Sequence, residues 1–158
     1  MKRIAVLLAA CLITITSFAQ VSVSSGTPNI DVKLKRCFAS GNDVYIDLVL
    51  NGNGRWENVY INGYESRIYD DEGNMYKGGF MGGQDYRYGI SFEYDKLSNK
   101  PNCQINIPRD IPRKVRLKIT DVDEYASALV KISLPCDGNS TNANPFEITI
   151  KNLPITRE

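Results

Sequence analysis

The chain has 158 residues, with 19 lysines and arginines against 18 aspartates and glutamates and no histidine. Lacking histidine, it has no Ser-His-Asp or Cys-His activation, no HExxH zinc centre and no imidazole acid-base chemistry. A charge balance so close to zero gives no general attraction to nucleic acid or to a membrane surface.

The first element is "MKRIAVLLAACLITITSFAQ". Lys2 and Arg3 precede an apolar run from Ile4 to Ile15, and Ser17 and Ala19 place small residues before Gln20. This is the pattern of a secretory signal peptide. The run is shorter than the roughly 20 residues of a bilayer-spanning helix, and no later segment comes closer, so no membrane span is expected. We expect residues 1–19 to be removed and residues 20–158 to form a single β-sandwich domain. "LAAC", Leu8 to Cys11, supports a rival reading as a lipoprotein box, with Cys11 acylated as a lipid anchor. Cleavage after Ala19 removes 19 of the 158 residues, Lys2 and Arg3 among them, and leaves 17 basic against 18 acidic side chains.

Beyond the leader the dominant period is two, the mark of strands with one buried face. Ile30, Val32 and Leu34 alternate with Asp31, Lys33 and Lys35. After an "SGN" turn, Val44, Ile46, Leu48 and Leu50 alternate with Asp43, Tyr45, Asp47 and Val49. The alternation returns in "CQINI", "KVRLKI", "VKISL" and "FEITI". Turn chemistry separates these runs: "NGNG" at 51–54, "DEGN" at 71–74, "NKPN" at 99–102 and "DGNSTNANP" at 137–145. The pattern predicts an all-β fold, an antiparallel two-sheet sandwich of about seven to nine strands, with at most one helical turn in "DEYASAL".

Three cysteines follow the leader, Cys37, Cys103 and Cys136. Export makes a disulfide the expectation, with one thiol left over. We expect Cys37 to pair with Cys136, since each closes a strand-like run before a turn. Parity leaves Cys103 with Cys136 open, because both share the period of neighbouring core residues. No close cysteine spacing supports a zinc or redox motif.

"DDEGNMY", Asp70 to Tyr76, crowds three carboxylates and an asparagine round Gly73. An EF-hand with Gly73 at its sixth position would take ligands from Ile68, Asp70, Glu72 and Gly79, so its first and last ligands are missing. The expectation is a hairpin turn between "SRIY" and "MYKG", with a weak calcium site at Asp70, Asp71 and Glu72 as the alternative.

The pieces "SGNDVYIDLVLNG", "YDDEGNMY", "IPRKVRLKITDV" and "FEITIKNLPI" resemble small secreted immunoglobulin-like β-sandwich domains of bacterial envelopes, the group that includes the immunoprotective extracellular antigen. The resemblance implies an immunoglobulin-like sandwich outside the cytoplasm. The role of that group is largely undefined, and it offers no catalytic residues to carry over.

Motifs of reactive sites are sparse. There is no GxSxG elbow, no SxxK and no phosphate loop. Glu57, Glu65, Asp85 and Glu93 are acids that a glycosidase could use, but nothing in the sequence brings two of them together. In "DYRYGISFEYD", Tyr86, Tyr88, Ile90, Phe92 and Tyr94 share one strand face and read as core. Lys114, Arg116 and Lys118 in "PRDIPRKVRLK" read as a solvated strand face, the alternative being contact with phosphate, sulfate or uronate groups. Trp56, Tyr60 and Tyr64 in "RWENVYINGY" lack clean alternation and form a possible ligand shelf, with Arg55, Glu57 and Asn58 as polar partners. The sequence thus predicts an exported noncatalytic binding or structural module of the bacterial cell envelope, secreted or periplasmic, with no cofactor or metal. Its partner is an unknown protein or glycan, and the alternative is a carbohydrate-binding module built on the Trp56 shelf.

Overall fold

A computed structural model describes residues 20–53, 56–78, 89–138 and 145–157, apart from the side chains at 56, 57 and 138. Its strands in chain order are β1 (Ser22–Ser24), β2 (Ile30–Ser40), β3 (Asp43–Gly52), β4 (Trp56–Ile61), β5 (Arg67–Asp70), β6 (Met75–Lys77), β7 (Ile90–Tyr94), β8 (Leu97–Lys100), β9 (Cys103–Pro108), β10 (Arg113–Ile119), β11 (Ala128–Gly138), β12 (Phe146–Pro154) and β13 (Thr156–Arg157). They form two sheets. The first runs β1-β12-β11-β4-β9, with β5 also on β11 and β6 on β5; the second runs β13-β2-β3-β10-β7-β8. All pairs are antiparallel except β13 on β2.

Alternation places the core between the sheets. Val44, Ile46, Leu48 and Leu50 of β3, Val115, Leu117 and Ile119 of β10, and Ile90, Phe92 and Tyr94 of β7 are buried in one cluster with Ile105, Ile107, Ile132, Leu134, Ile148 and Ile150 of the first sheet. The inward face expected for Ile90, Phe92 and Tyr94 is therefore present; Tyr86 and Tyr88 lie outside the described residues. The strands outnumber the seven to nine expected because β1, β6, β8 and β13 are short additions of two to four residues and because one long strand is interrupted. β4 and β5 both pair with β11, Ile61 opposite Cys136 and Arg67 opposite Ser133, and residues 62–66 leave the ladder between them. No helix occurs among the described residues; in "DEYASAL" the chain makes a short turn in which the Ala126 amide donates to the Asp123 carbonyl at 3.1 Å.

One register shift determines which side chains reach the outer face of the second sheet. In β2, Leu34 pairs with Leu48 but Arg36 pairs with Asp47, so Lys35 is an extra residue. Ile30 and Val32 are buried before this bulge, and Cys37 and Ala39 after it. Strict alternation would have carried Arg36 into the core. The bulge moves the inward set from even to odd numbers, and Arg36 and Phe38 face outward.

"DDEGNMY" makes the hairpin the sequence predicts. β5 and β6 are joined by a short loop in which the Gly73 amide donates to the Asp70 carbonyl and Gly73 has φ of 88°, the left-handed position that favours glycine. The two aspartates point to different partners. Asp70 is buried at 2% exposure, and its carboxylate accepts from the Asn74 amide (2.8 Å), Asn74 Nδ2 (3.0 Å) and the Tyr76 hydroxyl (2.6 Å). Tyr76 Oη in turn accepts from the Asp123 amide at 3.0 Å, and burial pushes the Tyr76 hydroxyl up to about 12, with its bond to Asp70 adding to the rise. Asp71 accepts from the Ser127 and Ala128 amides at 2.9 and 3.1 Å and from the Ser127 hydroxyl. Burial works to raise the Asp71 carboxyl, but these bonds outweigh it and the group is lowered. The hairpin is thereby tied to the start of β11. Among the described residues, no group of three or more His, Cys, Asp or Glu is placed to hold a metal ion.

The bridge expected between Cys37 and Cys136 is not formed: Cys37, Cys103 and Cys136 are all buried free thiols. Cys37 sits on β2 of the second sheet and Cys136 on β11 of the first. The open alternative fails on register. Cys136 pairs with Ile61 and Ile61 with Cys103, so the two cysteines are two strands, roughly 9–10 Å, apart, beyond the roughly 7 Å that a disulfide spans. Burial pushes the Cys37 and Cys136 thiols up to about 12 and raises Cys103 as well, which suppresses the reactive thiolate.

These contacts lead to two expected outcomes. Asp71→Asn should lower unfolding free energy by about 1 kcal/mol, the worth of a partly exposed charged hydrogen-bond cluster, with the urea midpoint as readout, while a chelator leaves the midpoint of the unmodified protein unchanged. Mass spectrometry after alkylation should find no label at Cys37, Cys103 or Cys136 in the native protein and label at all three in denaturant without reductant; a bridged pair would leave only one labelled.

Candidate ligand-binding surface

The outward set of the second sheet forms aligned rows across its strands. One row is Phe38, Tyr45, Lys118 and Ser91, and the next is Arg36, Asp47, Arg116 and Glu93, drawn in turn from β2, β3, β10 and β7. Beyond them Lys33, Val49 and Lys114 are aligned. The second row alternates in sign from strand to strand, the arrangement that favours cross-strand pairs.

Asp47 is the centre of that row. Arg116 Nε and Nη2 donate to its two oxygens at 2.6 and 3.1 Å, and Arg36 Nε reaches it from the other side at 2.5 Å. Arg116 Nη1 also lies 3.6 Å from Glu93. The hydrogen bond from Arg116 is the main cause holding the Asp47 carboxyl below the usual carboxylate range; burial opposes it and Arg36 adds to it. Phe38 and Tyr45 stack with centroids 5.2 Å apart. The Arg36 guanidinium lies 4.6 Å from the Phe38 centroid and that of Arg116 lies 5.7 Å from it, within cation-π range. Lys118 bonds Asp43 at 2.8 Å, a contact that raises its ammonium despite partial burial.

Beside these rows lies an open groove of about 960 Å³, lined by Lys35, Arg36, Val49, Lys96, Lys114 and Arg116 among others. Its acids are all engaged, Asp47 and Glu93 as above and Asp95 by Arg113 at 3.6 Å. Lys35, Lys96 and Lys114 have no carboxylate partner among the described residues. The groove therefore carries excess positive charge although the chain as a whole is nearly neutral.

The sequence identified Lys114, Arg116 and Lys118 as one outward strand face, and they do share it. It missed Lys35, Arg36 and Phe38 as their companions. The signal was present in "LKRCF", where two consecutive charged residues divide even-numbered apolar positions from odd-numbered ones. Arg109 pairs with Asp110 at 3.5 Å and does not line the groove.

The Trp56 shelf is on the other sheet. Trp56 pairs with Pro108 at the start of β4; its side chain and that of Glu57, together with all of Arg55 and Asp85, lie outside the described residues. Tyr60 pairs with Gln104 and Asp137 and is half-buried, as is Asn58. Tyr64 lies in the excursion at 62–66. There the Gly63 amide donates to Asn102 Oδ1 (3.0 Å), the Glu65 amide to Asn62 Oδ1 (3.3 Å) and the buried Ser66 hydroxyl to the Asn62 carbonyl (2.8 Å). A side chain at Gly63 would sit 1.9 Å from the Pro101 carbonyl oxygen, so only glycine lets the excursion pack this tightly. Burial raises the Tyr60 hydroxyl, with Tyr64 and Asp137 the next causes, so the two tyrosines share one neighbourhood. Glu65 is exposed there, whereas Glu93 is on the second sheet beside Arg116.

No protein-family model matches the chain, and no curated protein matches it. Solved structures similar to it include self-complemented MyfA, the major subunit of Myf fimbriae from Yersinia enterocolitica, at 14% identity and a TM-score of 0.37 over 86% of this chain and 99% of that one. The same subunit in complex with galactose gives 15% identity and 0.35 over 84% and 98%. ACE19, the collagen-binding subdomain of the Enterococcus faecalis surface protein ACE, gives 13% and 0.33 over 84% and 99%. No helix among the described residues is long and apolar enough to cross a membrane.

The charge row has a signed pH consequence. A carboxyl whose folded pKa is lowered contributes stability that is complete above its unfolded value near 4, and that contribution is lost as pH falls through the folded value. Arg116→Gln should cost roughly 1 kcal/mol at pH 7, the upper range for a partly exposed pair. It should also flatten the fall of stability between about pH 5 and pH 2, followed by urea unfolding at stepped pH; equal slopes in both proteins would contradict the assignment.

Proposed function

We propose that the chain is an exported, noncatalytic binding or structural module of the bacterial cell envelope, secreted or periplasmic, with a protein or glycan partner at the cell surface. The observation that carries this reading is the outer face of the second sheet. There Asp47 fixes Arg36 and Arg116 in a row of charges, these two arginines lie over a pair of stacked rings, and no further layer of described residues covers them. Rigid groups directed at solvent favour recognition, because little side-chain freedom remains to be lost on binding.

The same contacts disfavour catalysis at this face. Asp47 is held ionised between two guanidinium groups and is a poor proton acceptor, Glu93 and Asp95 face arginines, and the thiols are buried away from it. The leader pattern at 1–19 supports export, with acylation at Cys11 as the anchored variant. A second reading, a carbohydrate-binding module on Trp56, Tyr60 and Tyr64, draws support from the shared neighbourhood of Tyr60 and Tyr64.

Expressed from its own first codon in a bacterial host, the protein should be recovered outside the cytoplasm with Gln20 as its first residue. Full-length protein confined to the cytoplasm would contradict the proposal, and lipid on Cys11 would assign the anchored form. A screen of neutral glycans addresses the second reading: saturable binding that Tyr60→Ala abolishes, with the melting midpoint retained, would move the binding site to the first sheet.

A further inference from the structure

We propose that the groove on the outer face of the second sheet binds an anionic polysaccharide, with carboxylate or sulfate groups held by Lys35, Arg36, Lys96 and Lys114. The inference deepens the reading of the chain as an extracytoplasmic binding module and rests on it.

Charge complementarity is the first argument. Every carboxylate lining the groove is already opposite an arginine, while Lys35, Lys96 and Lys114 have no acidic partner among the described residues. Arg36 uses Nε for Asp47 and lies against the Phe38 ring, which fixes its plane and leaves its two terminal nitrogens with no acceptor among the described residues. A guanidinium held in this way loses little freedom on meeting an anion.

Spacing is the second argument. Lys35 and Arg36 are on β2, Lys114 is on β10 two strands away, and Lys96 is in the turn after β7, one strand further. Neighbouring strands are roughly 4.8 Å apart, so these cations are spread over about 14 Å of sheet. One small anion cannot reach them all, whereas a chain with repeated anionic groups can.

The backbone and floor of the groove favour a polysaccharide over an acidic peptide. β3 and β10, which floor the groove, are paired on both sides, so they offer no free backbone edge for strand addition. Val49 in the floor is 8% exposed, and the groove's exposed apolar groups are Leu97, at 45%, and Pro112. That is a shallow apolar surface suited to a sugar face, without the deep pocket that anchors a peptide side chain.

The test uses protein purified from the fraction in which it accumulates, titrated with dextran sulfate, alginate, neutral dextran and polyglutamate. Dextran sulfate or alginate should bind saturably, more weakly at salt of about 0.5 M, as screening requires of exposed charges, and more tightly than polyglutamate; neutral dextran should not bind. Lys35→Gln, Lys96→Gln and Lys114→Gln combined should weaken binding about tenfold, from three exposed pairs each worth about twofold. Lys131→Gln with Lys151→Gln, on the first sheet, should leave it unchanged. Amide shifts induced in the unmodified protein should map to β2, β10 and the β7–β8 turn, a readout independent of how well the variants fold. Absence of saturable binding by either anionic polysaccharide, tighter binding of polyglutamate, or equal loss in the two lysine variants overturns the proposal. None of these results bears on where the protein accumulates, so fractionation still decides the reading beneath it.

Discussion

A strand with one buried face can keep only one parity of side chain dry, and in β2 the sequence changes parity midway. Even-numbered apolar residues at 30 and 32 give way to odd-numbered ones at 37 and 39, and a single extra residue, Lys35, absorbs the change. Without the bulge either Arg36 would enter the core or Cys37 and Ala39 would leave it. Burying a guanidinium without a partner costs several kcal/mol, and losing two inward apolar groups costs a comparable amount. With the bulge, Arg36 lies across from Asp47 and Phe38 beside Tyr45, and the outer face acquires its order.

That order is electrostatic but local. Asp47 is partly buried and serves two arginines, so its contacts are screened less than an ordinary surface pair, and each arginine also covers an aromatic ring with its planar group. The three lysines around the groove are different, being solvated and without a carboxylate partner among the described residues. The outer face thus combines a fixed neutralised row with adjacent solvated cations. A nearly neutral chain can present a cationic groove because the few acids that line it are paired with arginines and its other carboxylates lie elsewhere.

Much of this fold was legible in the sequence. Alternation located the main strands and their inward faces, and the turn residues placed the β2–β3 and β5–β6 hairpins. Two kinds of feature were not legible. The cysteine pairing failed because parity says which face a thiol takes but not which strand lies beside it: Cys103 and Cys136 share a face with Ile61 between them. The composition of the outer face failed for the same reason. Lys114, Arg116 and Lys118 could be grouped within one strand, but joining them to Arg36, Asp47 and Phe38 requires the strand order and the bulge. "DDEGNMY" shows the opposite case, a local motif read correctly as a turn because its turn chemistry is contained in one short segment, with only the reach of Asp71 to Ser127 and of Tyr76 to Asp123 depending on tertiary structure.

The parity change at Lys35 is tested most directly by nuclear Overhauser contacts of the Phe38 ring. Contacts to Tyr45 ring protons and Arg36 side-chain protons, with none to the Ile46 methyls that face Cys37 across the ladder, are the predicted result. Phe38 contacts to core methyls, with the Cys37 side chain exposed to solvent, would mean that β2 runs without its bulge and that the cationic face does not exist as described.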